Sequence, residues 1–151
     1  MFDSNIIVGL LTLLLLLPVL FGATVIKVTD AGRDIITNML SGIGGTIPKW
    51  VAWGTGATGA AESGATLSTE TTQEARTTGT PTRQQVTHPN DTYQVVGTIT
   101  VATGGKTITN AGLFDAITSG NLFMLASFTG LALDVGDSIE FTFKCQFTGT
   151  D

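Results

Sequence analysis

Residues 138–148 alternate without a break. Ile139, Phe141, Phe143, Cys145 and Phe147 occupy one phase, and Glu140, Thr142, Lys144, Gln146 and Thr148 the other. A period of two predicts a strand with one buried and one wet face, as in an antiparallel sheet. Tyr93–Val101 (YQVVGTITV) is β-branched and predicts another strand. Thr103-Gly104-Gly105-Lys106 then turns the chain into Thr107-Ile108-Thr109. Leu122–Phe128 (LFMLASF) follows a further turn signal, Ser119-Gly120-Asn121. Asp134 and Asp137, in Asp-Val-Gly-Asp-Ser, read as turn residues before the last strand.

Nearer the N-terminus, Ala23–Val28 and Pro48–Trp53 read as strands on either side of one helix. In that helix Ile35, Ile36, Met39 and Leu40 share a face by 3.6 periodicity. Asp30 is placed to cap its start, and Ser41-Gly42-Ile43-Gly44-Gly45 ends it. The stretch from Gly54 to Asn90 is polar and rich in Thr, Gly, Ser and Gln. Within it, residues 76–82 are either an edge strand, with Pro81 barring a central place, or a loop. Many short strands with a single helix predict a mainly β fold, an antiparallel, jelly-roll-like β-sandwich with one short N-terminal amphipathic helix.

A different pattern opens the chain. Residues 5–26 (NIIVGLLTLLLLLPVLFGATVI) contain no charge, long enough for a helix to span a bilayer. A secretory signal fits poorly, because the preceding residues carry Asp3 and no base, and Phe21 stands where a small residue is needed before a cut. Two readings are left: a membrane anchor, or an apolar arm buried against other subunits through Ile6, Ile7, Leu10, Leu13, Leu14, Leu17, Leu20 and Phe21. The expected division is an arm or anchor over residues 1–22 and a sandwich domain over 23–151.

Composition narrows the chemistry. The 151 residues are 13% charged with a net charge of -5, and the seven basic residues are scattered. Displacing counterions from a phosphate backbone requires clustered cations, so nucleic acid is not an expected partner. Cys145 is the only cysteine and His88 the only histidine, too few for an ordinary zinc site, and Cys145 falls in the buried phase of its strand. Gly54-Thr55-Gly56-Ala57-Thr58-Gly59 spells GxGxxG after a strand. The dinucleotide-binding turn needs a helix next and a parallel sheet around it; here Ser63-Gly64 breaks any helix, so the spelling is accidental. Glu62, Glu70 and Glu74 stand in polar sequence with no apolar neighbours to raise a pKa. Asn90-Asp91-Thr92 is a glycosylation sequon, relevant only to a secreted eukaryotic chain. Val28-Thr29-Asp30-Ala31-Gly32 and Ile108-Thr109-Asn110-Ala111-Gly112 share a form that reads as two Asx turns with glycine free for positive φ. No catalytic set, cofactor or metal is expected.

The order of several segments resembles a family. Val28–Gly32, Pro48–Gly56, Tyr93–Ile99, Ile108–Asp115 and Gly136–Phe141, across residues 24–148, are similar to small virion structural proteins of tailed bacteriophages. The resemblance implies a non-enzymatic accessory part of the particle. The leading expectation is a capsid decoration (cement) protein that stabilises the shell by binding the major capsid protein or other virion proteins. By the same analogy it would be a homo-oligomer, with a trimer favoured. The alternatives are a tail fibre or baseplate component, and a surface protein anchored in a membrane through residues 5–26.

Overall fold

In a computed structural model, residues 6–14, 25–57 and 63–148 are described. The chain runs β1 (Ile6–Leu14), β2 (Val25–Val28), α1 (Asp30–Leu40), β3 (Trp50–Gly54), β4 (Thr77–Thr78), β5 (Thr80–Gln84), β6 (Thr92–Thr100), β7 (Lys106–Phe114), β8 (Leu122–Leu133) and β9 (Ser138–Phe147). All ladders are antiparallel. They form two sheets, ordered β1-β9-β6-β5 and β2-β8-β7-β3-β4. One apolar core joins them: Val95, Ile99, Ile139, Phe141 and Phe143 of the first sheet pack with Val51, Trp53, Ile108, Leu113, Met124 and Phe128 of the second. Trp53 meets Phe141 edge to face across that core, with ring centroids 6.3 Å apart. The fold is therefore the antiparallel β-sandwich that the alternation predicts.

The pairing is nested. β1 meets β9, β2 meets β8 and β3 meets β7, so the early strands close over the late ones, in keeping with a jelly-roll-like winding. Residues 76–82 resolve into two edge strands rather than one. β4 ends the second sheet, β5 ends the first, and Gly79 lies between them. A Cβ at Gly79 would stand 2.4 Å from a Val95 methyl, so the crossing from one sheet to the other needs glycine's bare backbone. Pro81 sits in the edge strand, as its missing N–H demands.

Several local expectations change. The helix is capped by Thr29, not Asp30: the Thr29 hydroxyl accepts from the Gly32 N–H at 2.9 Å and donates to the Leu122 carbonyl. Asp30 instead begins the first turn, where it pairs with Arg33. The two similar pentapeptides are not paired Asx turns. The first spans a strand end, the cap and the first helical turn, and the second lies inside β7, which continues to Phe114. Neither Gly32 nor Gly112 has positive φ. What they share is lack of room: a Cβ would approach the Phe123 carbonyl oxygen to 2.2 Å at Gly32 and a Leu122 methyl to 2.7 Å at Gly112. β8 runs on to Leu133 because the register with β7 resumes beyond an irregularity between Ser127 and Leu131. In β9, Ile139, Phe141, Phe143 and Cys145 are buried as predicted, whereas Phe147 is 48% exposed at the end of the strand.

Candidate interaction surfaces

The apolar N-terminal run is extended over Ile6–Leu14, where β1 pairs with β9 from Ile6 opposite Phe147 to Leu14 opposite Glu140. This gathers five of the eight residues expected in the arm, Ile6, Ile7, Leu10, Leu13 and Leu14, on one edge strand of the first sheet. Leu17, Leu20 and Phe21 lie outside the described residues. A β-bulge falls between Gly9 and Thr12. Among the described residues, no helix is long and apolar enough to cross a membrane.

A second apolar surface escaped the sequence pattern. The face of α1 that carries Ile35 and Ile36 leans on Phe123 and Tyr93, leaving an open groove of about 280 Å³ closed off by Ile47, Pro48 and Phe147. Leu40 is 83% exposed at its rim, and Ile43 just beyond it 79%. The available signal was the placing of Ile43 and Ile47 in a glycine-rich segment with no periodicity, where apolar side chains have no core to enter. The Tyr93 hydroxyl donates to the Pro48 carbonyl at 2.6 Å, tying β6 to the segment that leads into β3. Burial pushes that phenol's pKa up.

Charged side chains fasten the described part of the polar loop between β3 and β4, residues 63–76, to the sandwich. Arg76 grips Glu70 through two hydrogen bonds (2.7 and 3.0 Å), donates to the Ala116 and Ser119 carbonyls, and lies 3.4 Å from the Phe114 ring centroid. Glu74 is buried, contrary to the expectation of a polar setting without apolar neighbours. It pairs with Lys106 through both oxygens at 2.6 Å and accepts from the Ala102 N–H at 3.1 Å. Burial alone would raise its pKa. Lys106 and the Ala102 N–H outweigh that and lower it, with a smaller influence from Trp53, whose Nε1 makes no hydrogen bond of ordinary geometry. Glu74 is thus a locked ion-pair partner, unsuited to donating a proton near neutrality. Glu62 lies outside the described residues.

The GxGxxG spelling is structural where it is described. Gly54 ends β3 against Asn110, and Gly56 binds back to Ser68 through its N–H at 3.0 Å. Asp91, inside the sequon, is the centre of a turn. Its carboxylate accepts from the N–H groups of Val86, Thr87 and His88, from the Thr92 hydroxyl and from Gln146. Burial opposes that charge, but the donors hold the pKa far below the usual carboxylate range. Cys145 is fully buried in the core, and burial pushes its thiol up to about 11, which makes it a packing residue. Asp134 and Asp137 form the turn before β9, the Asp134 N–H donating to the Asp137 carboxylate at 2.8 Å. Among the described residues, no three His, Cys, Asp or Glu side chains are grouped to hold a metal ion.

A family model described as Podophage GP4 fiber I protein gp80 matches residues 29–145. The chain belongs to that family. The match begins at the Thr29 cap and stops two residues short of the end of β9, so it spans the helix and every strand from β3 to β8. The protein is accordingly a β-rich structural component of a bacteriophage virion. β1 and β2 precede the matched region. No curated protein matches the chain.

Proposed function

We propose that the protein is a non-catalytic fibre component of the phage particle. The family match over 29–145 carries this reading. The framework around it is in accord: among the described residues, the titratable groups with displaced pKa values, Glu74, Asp91, Tyr93 and Cys145, are each engaged in holding loops or core together. The decoration reading is the second, supported by the uncharged run over residues 5–26, which suits a clamp onto the major capsid protein or another shell subunit.

Gold-labelled antibody against residues 63–75, applied to intact particles, separates the two. Label confined to tail-associated fibres is the expected result. Label spread evenly over heads would overturn the fibre reading in favour of decoration.

A further inference from the structure

Among the described residues the sandwich has two sheets and therefore four edges, and three of them are poor templates for another strand. β5 carries Pro81, which lacks an N–H, and the charged Arg83. β4 is two residues long. β2 is four residues long, includes Lys27, and runs directly into the cap of α1. The fourth edge, β1, spans nine residues of sequence IIVGLLTLL without a charge or a proline. Among the described residues it pairs with β9 alone, and β2 comes near it without forming a ladder. The bulge between Gly9 and Thr12 is its one protective device, and Ile6–Gly9 remains a regular ladder. A long apolar edge left this open is a pairing surface in water.

We propose that the free edge of β1 pairs antiparallel with β1 of a second copy, joining two sandwiches through one continuous sheet. A second copy fits better than a foreign strand because the sequence suits itself. The bulge shifts the alternation of β1 by one residue, so pairing about a two-fold axis between Leu10 and Leu11 is the register that keeps faces matched: it sets Ile7 opposite Leu14, Val8 opposite Leu13 and Gly9 opposite Thr12. No like charges then face one another, and Ile7 and Val8 meet leucines. β1 also lies outside the matched family region, so this contact is an addition to the shared body rather than part of its core. The proposal holds whether the protein sits on a fibre or on a shell.

Cys145 is the only cysteine, so a Cys145→Ser background allows single cysteines to be placed one at a time along β1 in the full chain. In an isologous pair only the residues beside the axis come close to their own copies. Light scattering should give a dimer mass, and mild oxidation should yield a disulfide-linked dimer whose amount peaks at Leu10→Cys and Leu11→Cys and falls to either side. Thr82→Cys, on the proline-bearing edge, should stay uncrosslinked. The double variant Ile7→Lys/Leu14→Lys, at positions paired with Gln146 and Glu140 in the polar phase of β9, should be a monomer at concentrations where the parent is a dimer, with an unchanged near-ultraviolet circular dichroism spectrum. A monomeric parent, a dimer that crosslinks evenly or not at all along β1, or protein held only with lipid would each overturn the proposal.

Discussion

At the scale of single residues, the side chains that appear fit for chemistry are used to hold backbone in place. Asp91 is the clearest case. Three consecutive N–H groups, from Val86 to His88, converge on one carboxylate and fold the β5–β6 connection around it. Its folded pKa is depressed, so its contribution to stability is whole above the unfolded carboxyl value of ~3.9 and is lost as pH falls from there towards the folded value. Asp91→Asn keeps the shape and removes the charge, placing an amide donor among donors. The variant should melt at a lower temperature than the parent at pH 7. The gap should narrow as pH drops below about 4, because the parent then loses what the variant already lacks. Melting curves at stepped pH read this directly, and a gap that stays constant down to pH 2 would assign Asp91 no electrostatic role.

At the scale of elements, one ion pair fastens the long polar loop to the sandwich. The side chains of Lys106 and Glu74 are 9% and 3% exposed, so each depends on the other for its charge to be tolerated. Lys106→Met should destabilise the protein by about 3–5 kcal/mol, since it strands a buried carboxylate. Lys106→Met/Glu74→Leu should recover most of that loss, as apolar replacements of buried pairs often do. Urea denaturation of the single and double variants measures the difference, and equal losses in both would show that packing rather than charge is at stake.

The same element shows what sequence could and could not yield. β9 was legible because period-two alternation reports a sheet with one wet face, and β6 because its residues are rich in β-branched side chains. β7 was legible only to Thr109: from Asn110 onward it is buried between neighbours, and Asn110-Ala111-Gly112 imitates a turn. The cap at Thr29 was hidden because Asp and Thr both serve as caps, and only the register of the turn tells them apart. Glu74 read as solvated because its partner, Lys106, is far away in sequence, and a partner of that kind leaves no local mark. The groove beneath α1 was invisible for a related reason: Phe147 continues the phase of β9 and differs only in standing past the end of the core. The apolar character of the run was legible from the missing charge, whereas its extended form over Ile6–Leu14 was not, since a leucine-rich run carries no period to separate strand from helix.

At the scale of the whole molecule, the family body from Thr29 to Cys145 is preceded by the strand that completes one sheet. Because β1 and β9 are antiparallel neighbours, Ile6 and Phe147 stand side by side. That adjacency fixes how the molecule bears load. A force drawing those two ends apart acts at the first rung of the ladder and breaks it one rung at a time, like a zip, instead of shearing all rungs together. Tethered at these ends in a single-molecule stretching experiment, the protein should release β1 at low force as a separate step, before the remaining sandwich gives way in a larger event. A single concerted rupture would show that β1 is fastened by more than its ladder. In a particle, such a strand would act as a mechanical fuse, letting out length under tension while the body behind it keeps its shape.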